Sequence, residues 1–291
     1  MTPQISRIGL WAPLWLWIQE GASLPEAAAE VDGLGFGAIW LGNGPTIMDV
    51  ASSLLDATPR ITVATGIVNI WVHPVEEIAG RSARLAEQHP SRLLLGLGNG
   101  PREPGQWLLS PYGKMVEYLD RLDASGCPAD GRILGAVGMR MTALAAARSL
   151  GAHPFLTTVD HTRQARAILG DGPLLVPELK VVLEADPGRA RAVARQALGF
   201  YLSKRGYSAN LRRLGFAEED LAGGGSDRLI DSVVAWGDAE TVAGRVREFH
   251  QAGADQVAVQ VLTNDTDHPR LERRRLPREH YRRLAEALFR P

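Results

Sequence analysis

The chain has 291 residues, 45% hydrophobic and 22% charged, which is the composition of a globular protein with a substantial core. Its formal net charge of −1 provides no basic field to attract nucleic acid. Its one cysteine, Cys127, excludes an internal disulfide, no Cys/His cluster has zinc-ligand spacing, and the apolar run WAPLWLWI is too short to span a membrane. We therefore expect a cytoplasmic protein with no metal, nucleic-acid or membrane partner.

Strand-like and helix-like segments alternate through the first half of the chain. Runs of large or β-branched apolar residues predict strands at 7–11, 37–41, 61–64 and 92–97. Helical patterns predict helices over 23–33, 46–57, 74–88 and 110–124. The first helix has Ser23 as its N-cap and Glu26 three residues later, which is the spacing of a capping box. One helix between each pair of strands is typical of parallel βαβ units.

The second half continues the same alternation. Strands are predicted at 132–137, 153–157, 179–184 and 256–262, and helices at 141–150, 158–169, 187–202, 239–251 and 278–288. Asp186 followed by Pro187 predicts a capped helix start. A helical insertion at about 203–225 ends in a glycine-rich loop. Eight strands alternating with helices predict one (β/α)8 TIM barrel domain over 1–291, with a doubly wound sheet as the alternative.

The segment from 61 to 100 locates a site as well as a fold. Its two predicted strands end in the small and polar runs ATGIVN and GLGNG. Ligands of parallel sheets bind at the carboxyl ends of strands, and backbone at Gly66, Gly98 and Gly100 can approach a ligand closely because no Cβ intervenes. No Walker motif, GxSxG elbow or HExxH is present.

Tryptophans follow the first four predicted strands. Trp11, Trp40, Trp71 and Trp107 lie in or just after consecutive strands. Four such residues predict a pocket for a flat, largely apolar ligand, although core packing under the loops is the alternative. Trp15 and Trp17 are expected to add a lid from the first loop.

Three further positions carry candidate chemistry. Gly138, Met139 and Arg140 open a predicted helix, whose free amides and guanidinium favour a phosphate, unless Arg140 simply faces solvent. Thr158 and Asp160 are explained as helix caps, in a run that also holds Thr157 and His161. His73 is a candidate acid/base at the mouth of the barrel, or else it only starts the helix after Pro74.

Several segments resemble one family. They are WLGNG (40–44), ATGIVNIWVHP (64–74), RLLLGLGNG (92–100), YGKMVEYLDRLDA (112–124), and the ranges 153–170, 201–216 and 226–262. In these segments the chain resembles the luciferase-like monooxygenase superfamily, and in it the branch of oxidoreductases that use the 8-hydroxy-5-deazaflavin coenzyme F420. The resemblance implies a (β/α)8 barrel that binds flavin or deazaflavin at its strand ends and acts on a small apolar molecule.

The resemblance also assigns positions to the coenzyme. It implies that Gly66–Ile67 forms a bulge, often with a cis peptide, behind the deazaflavin ring. The remaining cofactor-binding residues expected are Trp11 at the end of the first strand, Asn43, Asn69, Asn99 and Gly100 around the ring and its side chain, and Val137, Gly138, Arg140 and Met141 near the phosphate. The candidate catalytic residue is His73.

Two departures from the family narrow the chemistry. Gly44 and Pro101 stand where sugar-phosphate dehydrogenases of the superfamily carry a His and a Glu, and Gly-Met-Arg replaces Gly-Pro-Lys after the fifth strand. We therefore expect an F420-dependent oxidoreductase that does not oxidise sugar phosphates. The alternatives are an FMN-dependent monooxygenase and a non-catalytic flavin- or deazaflavin-binding protein. A homodimer is expected through the Ala-, Ile- and Leu-rich helices 46–57 and 74–88.

Overall fold

The computed structural model describes residues 3, 5–100, 110–263 and 274–289 of the chain. These residues form a parallel sheet surrounded by helices. The described strands are β1 Ile8–Ala12, β2 Ala38–Gly42, β3 Thr62–Gly66, β4 Val68–Asn69, β5 Leu93–Gly98, β6 Arg132–Leu134, β7 Gly151–Ala152, β8 Leu174–Leu175, β9 Glu178–Val182, β10 Val234–Trp236 and β11 Val257–Val261. Apolar runs form these strands because both faces of a parallel sheet are covered.

The sheet curls strongly around one axis. Its strand order is β10-β9-β11-β1-β2-β3-β5-β6-β7-β8, with β4 paired to β5. β8 and β9 lie far apart in this order, yet only Val176 and Pro177 separate them in the chain. The sheet therefore has to bend until its two sides come close together.

Helices cover the outside of the curl. They are α1 Leu14–Glu20, α2 Leu24–Gly33, α3 Ile47–Ala57, α4 Val75–Gln88, α5 Pro111–Ala124, α6 Met139–Arg148, α7 Val159–Leu169, α8 Pro187–Leu202, α9 Arg205–Arg213, α10 Glu218–Leu221, α11 Asp227–Val233, α12 Ala239–Gln251 and α13 Arg278–Leu288. The predicted bounds of α8, α12 and α13 are confirmed. None of the described helices is long and apolar enough to cross a membrane.

Helix caps account for several of these boundaries. Asp186 accepts a hydrogen bond from the backbone N–H of Arg189 at 2.8 Å, so the predicted start of α8 is confirmed. Ser23 makes no such bond, because the chain passes through α1 and a 3₁₀ turn directly into α2. That run was expected to be a loop after the first strand.

The interior of the curl is packed by side chains from β1, β2, β3, β5, β6 and β11. One contiguous apolar cluster contains Trp11, Ala38, Trp40, Ala64, Leu94, Ile133, Val176 and Ala258. Residues at alternate positions along a strand point to one face, so this cluster marks the inward positions of the sheet. A larger core lies between the sheet and its helices.

The helical insertion is more extensive than predicted. Helices α8 to α11 share a separate apolar cluster, which includes Leu198, Leu211, Phe216 and Leu229. The prediction ended the insertion at about 225, but α11 continues it to Val233 before β10 begins. Short apolar segments such as 227–236 do not distinguish helix from strand by periodicity, so both α11 and β10 escaped the sequence analysis.

Candidate functional site

Glycines occupy the inward positions at the ends of the first strands. A Cβ placed on Gly66 would lie 2.8 Å from Nε1 of Trp11 and 3.2 Å from Nε2 of His153. A Cβ on Gly42 would lie 2.8 Å from the Trp11 ring, and one on Gly98 would lie 2.6 Å from Cγ1 of Ile67. The glycines are therefore required by the close approach of neighbouring side chains at the carboxyl edge of the sheet.

The end of β3 has the predicted backbone geometry. The peptide bond between Gly66 and Ile67 is cis. The half-buried Ile67 side chain lies over the bare backbone of Gly98 and also comes within 3.2 Å of a Cβ built on Gly135. Ile67 thus forms an apolar support across the ends of β3, β5 and β6.

The predicted asparagines lie in different environments. Buried Asn69 accepts a hydrogen bond from the Trp71 backbone N–H at 3.1 Å, and its amide packs against Gly100, where a Cβ would be only 2.8 Å away. The half-buried Asn99 has an Oδ1 atom with no hydrogen-bond partner among the described residues. Asn43 is exposed after β2.

The tryptophans serve both packing and site formation. Trp40 donates from Nε1 to Oε1 of Gln256 at 2.7 Å inside the curl, so packing explains it. Trp11 is 5% exposed and its Nε1 has no partner among the residues described. Trp71 is also buried. The lid prediction is wrong for Trp17, which is fully buried in the main core because α1 turns it inward.

The remaining members of the tryptophan prediction add little to the site. Trp15, on the outer face of α1, is 37% exposed. Trp107 lies outside the described residues.

His153 is a site residue that the sequence analysis missed. Its ring stacks on Trp40 with a centroid distance of 4.1 Å, and its Nδ1 lies 2.7 Å from the carbonyl oxygen of Val176. A carbonyl can only accept, so Nδ1 carries a proton and Nε2 presents a lone pair beside Gly66. Burial lowers the pKa of His153 to about 4, with a smaller contribution from the Lys180 charge, so the ring is neutral near neutral pH.

A buried ion pair lies next to this histidine. Lys180 donates from Nζ to Oε1 of Glu178 at 2.8 Å, and the two side chains are 0% and 1% exposed. The other carboxylate oxygen of Glu178 accepts the backbone N–H of Leu156 at 3.2 Å. Burial lowers the pKa of Lys180, while the Glu178 charge opposes that shift. The Glu178–Lys180 ion pair inside the curl is therefore held in place by a backbone hydrogen bond to Glu178 as well as by the bond between the two side chains.

Aromatic rings enclose the ammonium group. Nζ of Lys180 is 3.8 Å from the ring centroid of Phe155 and 5.0 Å from that of Tyr201. Tyr207 contacts both rings, at centroid distances of 5.9 and 5.6 Å, and Trp11 meets Phe155 at 5.3 Å. Burial raises the pKa of both tyrosines. Since Tyr201 and Tyr207 belong to α8 and α9, the insertion covers this side of the site.

The predicted phosphate loop is held by a histidine. His161 lies with Nε2 2.8 Å from the carbonyl oxygen of Val137, next to Gly138, the N-cap of α6. Arg140 is exposed and its guanidinium lies 4.7 Å above the ring of Tyr112, while Met141 is half-buried. None of these contacts tests whether the loop binds a phosphate, so that role stays a prediction.

The other polar predictions are resolved in part. Thr158 caps α7 by accepting from the His161 backbone N–H at 3.2 Å, as predicted. Asp160 lies within the first turn and pairs with Arg163 instead of capping. His73 is 9% exposed, and its carbonyl oxygen accepts from the Tyr118 hydroxyl at 3.1 Å. Pro74 is the N-cap of α4, so His73 does lead into that helix, and its catalytic role stays a prediction.

Comparison with known proteins finds a similarity in the first part of the chain. Residues 15–125 match the model of the luciferase-like monooxygenase family. This match covers less than half of the chain. No curated protein sequence matches it significantly.

Three solved structures share the fold of this chain. An F420-dependent secondary alcohol dehydrogenase in complex with an F420–acetone adduct has a TM-score of 0.73 at 12% identity, with 98% of each chain covered. The F420-dependent tetrahydromethanopterin reductase of Methanopyrus kandleri has a TM-score of 0.73 at 14% identity, over 98% of this chain and 99% of that one. The FMN-bound oxygenating constituent of 3,6-diketocamphane monooxygenase from Pseudomonas putida scores 0.62 at 12% identity, over 91% and 93%.

These similarities establish the fold and leave the cofactor open. At sequence identities this low, a structural similarity shows a shared fold, whereas function depends on the residues of the site. The site residues that the sequence analysis missed, His153, Glu178 and Lys180, had one usable signal. Glu178 directly precedes the predicted strand 179–184 and alternates with Lys180, and His153 begins the predicted strand 153–157. A charged side chain on the inward face of a covered sheet has no solvent to reach.

Proposed function

We propose that this protein is an F420-dependent oxidoreductase of the luciferase-like type, which transfers hydride between the deazaflavin coenzyme and an apolar organic substrate. One observation carries the proposal. Among the buried polar atoms that have no partner in the described residues, four belong to residues at or soon after the carboxyl ends of β1, β5 and β7: Nε1 of Trp11, Oδ1 of Asn99, Nε2 of His153 and Oγ1 of Thr157. Buried polar groups are nearly always paired in native proteins, so these atoms indicate a polar ligand.

The residues present fit a flat heterocycle. The bare backbone at Gly66 and Gly98 and the apolar Ile67 provide a surface for a ring, and Asn69, Asn99 and Gly100 border it. Val137, Gly138, Arg140 and Met141 would hold the phosphate. When bound, the coenzyme supplies hydride chemistry at C5 of its ring. The chain would position that ring, exclude water with the aromatic residues of the insertion, and bind the substrate beside it.

An FMN-dependent monooxygenase is the second candidate, favoured by the similarity to an FMN-bound structure. A third is a flavin- or deazaflavin-binding protein without turnover, because Gly44 and Pro101 replace the acid/base residues of related dehydrogenases. The three candidates differ in which cofactor binds, in whether oxygen is consumed and in whether any substrate is converted.

A cofactor titration tests the proposal. Fluorescence titration of the protein with oxidised F420, FMN and FAD is expected to show the tightest binding for F420. Reduced F420 is then expected to be reoxidised by an apolar substrate without oxygen uptake, because a deazaflavin does not form the peroxide that a monooxygenase needs. Tighter FMN binding, or oxygen consumption with reduced FMN, contradicts the proposal.

We further propose that the curled sheet closes into a (β/α)8 barrel. Backbone bonds support closure on both sides of the β8–β9 run: Val176 donates to Ala152 at 2.8 Å, and Asp255 donates to Leu175 at 2.9 Å. In a closed barrel both bonds lie between paired strands, so neither amide is at a sheet edge that is open to solvent. Slow hydrogen exchange is therefore expected at the amides of Val176 and Asp255, and fast exchange at either amide contradicts closure.

A further inference from the structure

We propose that a cavity on the amino side of the sheet binds a small organic phosphate with an apolar body, and that Arg7 and Arg247 hold its phosphate group. The cavity has a volume of about 710 Å³. Sites for small molecules measure roughly 300–1,000 Å³, so this volume is sufficient for such a ligand. The cavity shares no residue with the candidate cofactor site, so the inference is independent of the proposed function.

The cavity lies at the edge of the sheet opposite to the candidate cofactor site. Ser6 and Arg7 precede β1, Gly35 precedes β2, and residues from the later turns of α12 and α13 complete the lining. These elements meet at the amino ends of the strands, where the Gly37 N–H donates to the Ile8 carbonyl oxygen at 2.8 Å. The two ends of β1 are about 13 Å apart at a rise of ~3.3 Å per residue. A ligand in this cavity is therefore separate from one bound at the carboxyl ends of the strands.

Two cations without a carboxylate partner line the cavity. Arg7 and Arg247 are exposed and form no ion pair with any described residue. Elsewhere the chain pairs many of its arginines, and Arg148, for example, contacts the carboxylates of both Asp120 and Asp123. None of the described residues that line the cavity is acidic. The two guanidinium groups are therefore available to an anion from solution.

His250 also lines the cavity but adds no charge to it near neutral pH. Its Nδ1 donates to the Ala254 carbonyl oxygen at 3.0 Å. Burial lowers the pKa of His250, with a smaller contribution from the Arg7 charge. Asp255 has the opposite effect on that pKa, but its carboxylate is already paired with Arg166. The positive charge of the lining is thus that of two arginines, which matches a phosphate monoester with a charge of about −1.5 to −2 at pH 7.

The apolar part of the lining indicates an organic phosphate. Ile8 and Val246 are buried, and Leu288 and Phe289 extend the apolar surface toward solvent. The Phe289 ring packs edge-on against Phe36 at a centroid distance of 5.3 Å, which holds it at the wall of the cavity. An apolar or aromatic body can cover this surface while the phosphate accepts pairs of hydrogen bonds from the guanidinium groups. Inorganic phosphate would leave the apolar surface uncovered.

Isothermal titration calorimetry with 1-naphthyl phosphate tests the inference. The wild-type protein is expected to bind this probe. Arg7→Ala and Arg247→Ala are each expected to weaken binding roughly tenfold, because each removes charge-assisted hydrogen bonds to the phosphate. The matched control is Arg84→Ala. Arg84 is exposed on α4, forms no ion pair with a described residue and does not line the cavity, so this variant should bind the probe like wild type.

Three further ligands test the two parts of the probe. Inorganic phosphate lacks the apolar body, 1-naphthol lacks the charge, and 1-naphthoate carries a single charge. All three are expected to bind more weakly than 1-naphthyl phosphate. If 1-naphthoate binds as tightly, the site does not select a phosphate and the ligand class is wrong.

A variant that fills the cavity provides a second test. Ala287 is half-buried in the lining, and Ala287→Trp narrows the cavity while both arginines stay in place. This variant is expected to lose the probe. Thermal unfolding shows whether each variant is folded, and if an arginine variant is not, the result with Ala287→Trp decides.

The remaining outcomes overturn the inference. They are wild-type protein that does not bind 1-naphthyl phosphate, and unchanged affinity in both folded arginine variants. Arg140→Ala identifies the other place where the probe could bind. If that substitution weakens binding and those at Arg7 and Arg247 do not, the probe occupies the loop before α6 and the cavity is not its site.

Discussion

His153 shows how one residue links packing to the site. Its ring stacks on Trp40, its Nδ1 proton goes to the Val176 carbonyl, and its unpaired Nε2 borders Gly66. Among the described residues, Nε2 is the ring nitrogen of His153 that has no hydrogen-bond partner. The Val176 carbonyl oxygen sets the tautomer of His153, and the two residues come close together only in the curled sheet.

The buried state of His153 predicts an acid-sensitive fold. Its pKa is lowered from 6.5 to about 4, so the unfolded chain binds a proton in this interval and the native chain does not. The contribution of His153 to stability is complete above pH 6.5 and is lost as the pH falls toward 4. Between pH 7.5 and pH 5 this one group should remove about 2 kcal/mol of unfolding free energy.

Urea unfolding at the two pH values measures this loss. Other histidines with lowered pKa values, such as His161 and His250, change stability in the same direction. The comparison with His153→Gln isolates the residue, because glutamine cannot titrate. If wild type and variant lose the same stability between pH 7.5 and pH 5, His153 is not held neutral in the native state.

Arg140 provides the sharpest mutational prediction for coenzyme binding. A guanidinium at the start of a helix can grip phosphate with two parallel hydrogen bonds, each worth about 1.5–3 kcal/mol when charge-assisted. Arg140→Ala should therefore weaken F420 binding by roughly tenfold or more in a fluorescence titration. Because Arg140 is exposed and its guanidinium lies over the ring of Tyr112, folding should be unaffected.

A deazaflavin fragment without phosphate is the control for Arg140. Its affinity should hardly differ between wild type and Arg140→Ala, since the phosphate contact is missing in both. Full coenzyme that binds the variant as well as wild type would mean that Arg140 is only a surface residue stacked on Tyr112.

At the scale of elements, the sequence predicted helix boundaries correctly where a capping residue lies next to the helix it caps. Helix α8 starts at an Asp–Pro pair and α12 at Asp238, whose carboxylate accepts the Thr241 N–H at 2.8 Å. These caps act within four residues, so they can be read before the fold is known. The same reasoning failed for α1, whose apolar residues have no cap and pack on the core from a run that looked like a loop.

Removing the cap of α8 should have a measurable cost. Asp186→Ala should lower the free energy of unfolding by about 1 kcal/mol, because the Arg189 amide loses its partner. Asp171→Ala is the matched control, since Asp171 is exposed in a bend between α7 and β8. Equal midpoints of thermal unfolding for the two variants would show that the cap adds nothing to stability.

At the scale of the whole molecule, the surface bears on the predicted homodimer. The apolar residues of α3, including Ile47, Leu54 and Leu55, are buried within the chain. They therefore cannot by themselves form the interface that the sequence indicated. We still propose a homodimer, and the exposed apolar side chains of Ile18, Val72 and Phe200 are places where a partner surface could lie.

Light scattering at micromolar concentration tests the homodimer. A mass twice that of the 31.5 kDa chain is expected. Ile18→Lys and Phe200→Lys identify which surface is used, because a buried charge at a dimer interface shifts the mass toward the monomer. A monomer mass for the wild-type protein contradicts the homodimer.

The sequence by itself determined the alternation of strands and helices, the caps of α7 and α8, and the glycines at the strand ends. Each of these depends on a few neighbouring residues, so periodicity and residue chemistry are enough to predict them. The resemblance of whole segments added the cis peptide at Gly66, which the structure has, and the position of a cofactor site, which stays a prediction. The parallel sheet covered by helices was likewise expected, but the described sheet has eleven strands instead of the predicted eight.

Only the tertiary structure decided what lies inside the curl. Lys180 and Glu178 look like ordinary polar residues of a strand, and His153 like the start of another. They become site residues because β7, β9 and the helices α8 and α9 meet around them, from positions more than twenty residues apart in the chain. The burial of these three side chains, their hydrogen-bond partners and the direction of each donor depend on how those elements pack together. No local sequence pattern encodes that packing.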